Sequence, residues 1–267
     1  MKSKLLKSSL LFLFITGAIT LAYSWGQWGH KHISRAAVFA LPEPMQKFFY
    51  NHIDYITEAA VVPDIRRAII NDKNESNRHF IDIEDFKIPI NDFPETAEEA
   101  YKKYDKAFLD KSGILPWFTQ TLTDKLTNAF KKRNKSEILF VAADLSHYIA
   151  DANQPLHTTS NYDGQLTGQK GIHALWESVL PQMFGGSFDF KTAPAKYIHN
   201  IPAETWKIVA RSHAFLDTIL AADKEVRGHF TADNIYKKDS TGKTVCFTTH
   251  LFILMNMRHS SMLHCME

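Results

Sequence analysis

Apolar residues recur every three or four positions along almost the whole chain, and this spacing most constrains the fold. Residues 136–152 show it best, because their apolar side chains fall on one face of a helix. Such spacing is typical of amphipathic helices, and no alternating strand pattern extends beyond a few residues. We therefore expect an all-α fold with a single multi-helix domain. The residues on that face are Ile138, Val141, Ala142, Leu145 and Ile149.

Helix-ending residues delimit the other predicted helices. Pro42 and Pro44 end the first helix, and Pro116 begins another at a position where proline is tolerated. A polar, Gly-rich stretch at residues 161–171 predicts a loop. The predicted helices cover 32–41, 45–60, a segment from Thr96, a segment from Pro116, 136–152, 171–180 and 205–225.

The first 24 residues have the pattern of a signal peptide. A short basic region precedes the apolar run 10–21, and small residues at Ala22 and Ser24 suit a signal peptidase. We expect cleavage after Ser24, a mature chain that begins at Trp25, and a periplasmic or secreted location. A retained N-terminal anchor is the alternative. The basic residues are Lys2, Lys4 and Lys7.

Removal of this leader would change the formal net charge from +2 to −1. A near-neutral protein lacks the broad positive surface of avid duplex binders, so any attraction for phosphate must be local. Cys246 and Cys265 are the two cysteines. They could pair after export, but they are neither a disulfide framework nor a thiolate zinc site. Histidine, with 13 copies, is the abundant metal-capable residue.

Three polar residues at the end of the 136–152 helix suit a metal site. His147 and Asp151 are four apart and share one face of the helix. Pro155 turns the chain so that His157 can face the same space. A solvated helix face followed by a surface histidine is the alternative.

Other residues could contribute ligands of the same kinds. His173 and Glu177 repeat the spacing of four, although such pairs often form ordinary helix-surface contacts. His79 lies between Arg78 and Phe80, where a hydrogen-bonded core histidine is the alternative. Asp64 follows a proline at a helix start, where it could instead act as a cap.

The mature N-terminus could also bind a metal ion. An α-amine has a pKa of about 8, so a metal displaces its proton at little cost. The amine and carbonyl of Trp25 could chelate together, with His30 as a third ligand. Packing of an aromatic N-terminus on the core is the alternative.

Read together, these motifs resemble the zinc-dependent phospholipase C superfamily, which includes the single-strand-specific zinc nucleases. WGxxGH at residues 25–30 and HFID at 79–82 match the nuclease branch, and HxxxDxxQPxH at 147–157 is common to both branches. HxxxE at 173–177 resembles the phospholipase branch, because nucleases usually have Asp in the last place. The preceding loop also lacks the Gly-Gly-Asn segment of nucleases. The resemblance covers about residues 25–180 and is weak beyond 190.

The resemblance implies one zinc-dependent phosphodiesterase domain over residues 25–267, with three Zn²⁺ ions in a cleft between helices. Zinc at such a cluster activates water and neutralises phosphoryl charge. Asp64, which would orient the water, and Asp151, which would bridge two ions, are the predicted catalytic residues. The implied ligand sets are Asp64, His79, His147 and Asp151 for the first ion, Trp25, His30 and Asp151 for the second, and His157, His173 and Glu177 for the third.

Three functions remain open on the sequence. The main prediction is a phospholipase C-like enzyme acting on lipid head groups, favoured by Glu177 and the loop before it. The alternative is an endonuclease or 3′-nucleotidase on single-stranded RNA or DNA, whose bases would stack on aromatic side chains. A non-catalytic exported zinc-binding protein is a third possibility. No stable protein partner is implied, and we expect a monomer. The candidate aromatics are Trp28, Tyr148, Tyr162 and Trp176.

Overall fold

The computed structural model of the chain describes residues 26–230, 236–238 and 244–246. The predicted leader, Trp25 and Cys265 lie outside the described residues, so the predictions on cleavage, on the N-terminal amine and on the cysteine pair stay predictions.

Helices make up most of the described chain. The α-helices are α1 (Gln27–Ala40), α2 (Met45–Tyr50), α3 (Ile53–Ala59), α4 (Val62–Ile65), α5 (Ala97–Lys103), α6 (Lys106–Ser112), α7 (Leu115–Lys131), α8 (Lys135–Ala152), α9 (Ile172–Ala174), α10 (Leu180–Phe184), α11 (Ile201–Ala214) and α12 (Leu216–Arg227). Two π-helical turns follow α4 and α9, at Arg66–Ile70 and Leu175–Val179. Short 3₁₀ turns lie at Ser76–Arg78, Ile83–Phe86, Ile90–Asp92, Pro155–Thr158 and Gly185–Ser187.

The all-α prediction is confirmed. The strands of the described residues are β1 (Tyr236–Lys238) and β2 (Thr244–Cys246), which form one short antiparallel ladder with Tyr236 opposite Cys246. No helix among the described residues is both long enough and apolar enough to cross a bilayer.

The long helices begin where local chemistry favours it. The side chain of Asn134 accepts a hydrogen bond from the backbone of Glu137 and caps α8. Thr96 and Glu99 form a reciprocal capping box at α5. These caps satisfy backbone donors that have no partner inside the helix.

The centre of the fold is the pair α7 and α8, which pack along each other and also contact α11. Only residues 132–134 connect the pair, so the two helices run antiparallel. Trp117 of α7 and Tyr148 of α8 are fully buried in the largest apolar cluster. A large apolar side chain buried in this way stabilises the fold by about 1.5–3 kcal/mol.

α8 is buried on more sides than the single apolar face that the sequence predicted. α1 and α3 also pack on α8, and a second apolar cluster with Ile138, Leu139 and Ala143 lies there. The polar residues Asp144, His147 and Asp151 are therefore buried as well. Buried polar groups of this kind need partners, because their desolvation is costly.

Three of the predicted helices begin or break at positions other than those predicted. The 45–60 helix is interrupted at Asn51 and His52, where the His52 ring hydrogen-bonds the carbonyl of Phe48 at 2.8 Å. The 205–225 helix begins earlier, at Ile201, because Asn200 caps it, and it is divided at Phe215. The 171–180 segment becomes a short helix followed by a π turn.

Candidate metal centre

Two consecutive elements place three of the predicted ligands in one buried space. His147 and Asp151 project from the C-terminal half of α8, and both are fully buried. The turn at Pro155–Thr158 directs His157 back toward them, with 3% of that residue exposed. His157 Nδ1 lies 3.5 Å from Asp151 Oδ1. The alternative of a solvated helix face is therefore excluded.

The remaining described ligand candidates of this side come from separate segments. His30 is in the first turn of α1, Asp64 follows Pro63 in α4, and His79 ends the turn Ser76–Arg78. All three side chains are at most 1% exposed. Asp64 thus lies inside α4 rather than capping it.

We call Asp64, His79 and His147 the buried group. One ligand atom from each lies within 4.8 Å of the others. His79 Nδ1 is 3.8 Å from Asp64 Oδ1 and 3.1 Å from His147 Nε2. Asp151 Oδ2 adjoins the group at 2.9 Å from His79 Nδ1. The structure thus brings together all four residues predicted for the first ion.

The middle group consists of His30, His147 and Asp151, which also offer ligand atoms within 4.8 Å of one another. His30 Nε2 lies 3.5 Å from Asp151 Oδ1, and the rings of His30 and His147 stack with centroids 3.8 Å apart. His147 is therefore close to two groups, although the sequence assigned it to one.

The outer group is His157, His173 and Glu177. His173 Nε2 is 2.9 Å from Glu177 Oε2 and 3.1 Å from His157 Nε2. The π turn at Leu175–Val179 carries Glu177, and such turns are frequent at functional sites. The His173 side chain is 21% exposed, so this group is the one that solvent reaches.

Two of the predicted ligand side chains lack the hydrogen bonds that a metal-free polar core would require. Within the described residues, neither ring nitrogen of His30 has a hydrogen-bond partner. The carboxylate oxygens of Asp64 accept no hydrogen bond either, although Oδ1 forms an ion pair with Arg67. Leaving such buried groups unsatisfied costs roughly 1–3 kcal/mol each. Imidazole nitrogens and carboxylate oxygens are the donors that zinc prefers, so these groups fit metal ions.

Hydrogen bonding also prepares one ring for a metal ion. His147 Nδ1 is 2.8 Å from the carbonyl of Ala60, so this nitrogen carries the proton. In the neutral ring the lone pair is then on Nε2, which faces His79 and Asp151. A backbone carbonyl commonly fixes the tautomer of metal-binding histidines in this way.

The carboxylates Asp151 and Glu177 are held in their ionised forms. Burial would raise the pKa of Asp151, but His147 and His157 hold it well below its usual value. Burial would also raise the pKa of Glu177, but His173 and His157 lower it to about 2. Burial lowers the pKa of His30 and keeps its ring neutral. These are the protonation states that bind a cation.

The structure shows two arginines at the site that sequence reasoning missed. Arg67 Nη2 lies 3.2 Å from Asp64 Oδ1, and 27% of its side chain is exposed. Arg66 points the other way, into the protein, where it contacts Asp144 and Glu75. The spacing of three between Asp64 and Arg67 could have indicated the first contact.

A buried arginine–carboxylate network lies behind the buried group. Arg66 donates to both Asp144 oxygens, at 3.1 and 2.8 Å, and its Nε donates to Glu75 at 3.0 Å. Arg78 and the Tyr148 hydroxyl also donate to Glu75. Burial would raise the pKa of Glu75, but hydrogen bonding to its neighbours holds it well below its usual value.

Comparison with known proteins adds one finding. A family model described as S1/P1 nuclease matches residues 25–222. No curated protein and no solved structure matches the chain. The matched range contains all nine predicted ligand residues and extends past residue 180, where the recognisable motifs end.

Proposed function

Because the chain belongs to the S1/P1 nuclease family, we propose that it hydrolyses phosphodiester bonds of single-stranded RNA or DNA. The family is one of zinc-dependent phosphodiesterases, so the enzyme class and the predicted superfamily are confirmed. The observation that carries the proposal is the convergence of three ligand groups within this matched range.

The comparisons correct the order of the predicted activities. The main prediction, a phospholipase C-like activity, has no specific support, and the nuclease alternative fits the family better. Glu177 and the loop before it favoured the lipid substrate. A single carboxylate of either length can bind zinc through oxygen, so Glu177 is a weak guide to the substrate.

Three zinc ions are proposed, with the ligands that the sequence predicted. The described members of each set lie together, and Asp151 adjoins all three groups, which supports its role as a bridge. The amine and carbonyl of Trp25 would complete the set of His30 and Asp151. Bound zinc supplies Lewis-acid chemistry, which polarises the phosphodiester and makes water nucleophilic near neutral pH.

The chain's own side chains bind and orient the substrate in this proposal. Asp64, beside Arg67, would accept a hydrogen bond from the attacking water and so direct it. The guanidinium of Arg67, partly exposed at the edge of the centre, would donate to a phosphate oxygen. The other buried side chains exclude bulk water, which strengthens each of these electrostatic contacts.

One exposed aromatic residue supports a nucleic-acid substrate. Tyr148 and Trp176 are buried in the core, and Trp28 packs against Gly185 and stacks on His32. Tyr162 is 51% exposed, and its ring centroid lies 5.8 Å from that of His173 in the outer group. A base beside the outer group could stack on this ring.

The test is a parallel assay of one single-stranded RNA, the same sequence as a duplex, and phosphatidylcholine. We expect cleavage of the single strand, its loss with a chelator and its recovery with zinc. His147→Gln should abolish activity, whereas His229→Gln, at an exposed position, should not. Faster hydrolysis of phosphatidylcholine than of RNA would overturn the proposal.

Export is proposed from the leader, and it can be tested with the N-terminal ligand. Mass spectrometry of the exported protein should give Trp25 as the first residue. One alanine added before Trp25 moves the amine away from its metal ion, so we expect about one zinc ion fewer per chain and a large loss of activity. Full zinc content and activity in that variant would exclude the amine as a ligand.

A further inference from the structure

The two ring nitrogens of His79 have different surroundings. Its Nδ1 faces Asp151 at 2.9 Å and the rest of the buried group. Its Nε2 points away from that group, toward Glu75 Oε1 at 3.5 Å. This contact is too long for a good hydrogen bond, and no hydrogen-bond partner of Nε2 lies among the described residues, so Glu75 is the acceptor toward which Nε2 points.

Glu75 is built into the fold as a fixed anion. It is fully buried, and it lies four residues before His79 across the turn Ser76–Arg78. Its Oε2 accepts from Arg66 Nε and Arg78 Nη1, each at 3.0 Å, and its Oε1 accepts from the hydroxyl of Tyr148. Two cations therefore compensate the charge, which a buried carboxylate requires.

The rest of the network fixes where Glu75 lies. Arg66 makes a bidentate contact with Asp144 of α8, one turn before Tyr148. Because α8 carries His147 and Asp151 as well as Asp144 and Tyr148, one helix holds two of the predicted metal ligands and two members of the network around Glu75. A shift of about half an ångström in the His79 ring brings Nε2 to an ordinary hydrogen-bond distance from Glu75.

We infer that Glu75 is a positioning residue for metal binding: it accepts a hydrogen bond from His79 Nε2 and thereby presents the Nδ1 lone pair to the ion of the buried group. The inference rests on the proposed zinc site. Partners of this kind orient metal-binding histidines, and their loss typically weakens metal affinity by roughly 10- to 100-fold. Glu75 touches no substrate in this role.

The test measures zinc affinity of the full mature chain by competition with a chromophoric chelator. Glu75→Ala should lower the affinity of the buried group for zinc by roughly 10- to 100-fold. Glu75→Gln keeps an acceptor oxygen and should lower this affinity by less. Asp223→Asn is the matched control, because Asp223 is almost as buried as Glu75, pairs with Arg227 and belongs to none of the three groups. That control should lower the thermal stability of the metal-free protein and leave zinc affinity unchanged.

If Glu75 had only a structural role, its variants would lower thermal stability and leave zinc affinity unchanged, as expected for Asp223→Asn. That result would overturn the inference without contradicting the proposed nuclease activity. A wild-type chain that binds no zinc refutes the proposed function itself, and the positioning role with it. Should the Glu75 variants fail to fold, ¹H–¹⁵N spectra of the zinc-loaded wild type decide instead. A slowly exchanging proton on His79 Nε2 supports the inference, and a proton on Nδ1 overturns it.

Discussion

The two ends of the metal centre differ in what surrounds them. Behind the buried group, Arg66, Glu75 and Asp144 form a satisfied ionic network inside the protein. In the outer group His173 is partly exposed, and beside this group about half of Tyr162 is exposed. In the proposed enzyme, this difference predicts that the buried group holds its ions more tightly and that the outer group contacts the substrate.

Replacing Asp151, whose carboxylate lies beside both the buried and the outer group, should have the largest effect on activity. Asp151→Asn should lower kcat by about 1,000-fold, because in the proposed centre Asp151 would bind two zinc ions, which supply several kcal/mol of charge stabilisation. Glu177→Gln should cost less, since it affects the outer group alone. Steady-state kinetics on single-stranded RNA give the order, with Asp217→Asn on exposed α12 surface as control. A larger loss for Glu177→Gln contradicts the bridge.

Acid should destabilise the outer group of the metal-free protein. The pKa of Glu177 falls from 4.5 to about 2 on folding, so its ionised form contributes stability above pH 4.5 that is lost as the pH falls toward 2. The contribution is about 3 kcal/mol at most. The pKa of His173 is raised, because Glu177 outweighs its burial, so that contribution is present below pH 6.5 and is lost at higher pH.

Urea unfolding at several pH values measures this effect. Glu177→Gln should reduce the stability that the wild type gains between pH 2 and 4.5, leaving the part that Asp151 and Glu75 contribute, and the Asp217→Asn control should keep the full gain. Parallel pH profiles for Glu177→Gln and the wild type would show that the pair is not coupled in the fold.

A smaller effect is expected at the exposed aromatic side chain. Tyr162→Ala should raise KM for single-stranded RNA by about tenfold, because stacking of one base is worth roughly 1–3 kcal/mol. Tyr162→Phe keeps the ring and should stay near the wild type. Tyr197→Ala, at another highly exposed tyrosine, is the control. Equal KM values for Tyr162→Ala and the wild type would remove Tyr162 from the substrate path.

The sequence predicted what depends on spacing along one helix. His147 with Asp151, and His173 with Glu177, are separated by four residues, and each pair indeed shares one buried space. The predicted helix start at Thr96 is equally local, whereas the cap of α8, Asn134, lies two residues before the predicted start at residue 136. Order and spacing of these motifs therefore sufficed for the fold class and for the candidate ligands.

Contacts between distant segments could not be predicted. Arg66 meets Asp144 across 78 positions, and no spacing along the chain indicates that contact, whereas the contact of Arg67 with Asp64 follows a spacing of three. The division of the predicted 205–225 helix at Phe215 likewise follows from docking of α11 and α12 in different clusters.

The burial of polar groups on α8 makes the stability of the protein depend on the ions available in solution. This helix joins two apolar clusters and carries polar groups that ions would neutralise. A ligand that binds only the folded chain stabilises it by an amount that grows with the logarithm of its free concentration. With zinc as that ligand under the proposed function, the free energy of unfolding would rise with the free zinc concentration, so a shortage of zinc would lower the amount of folded protein as well as its activity.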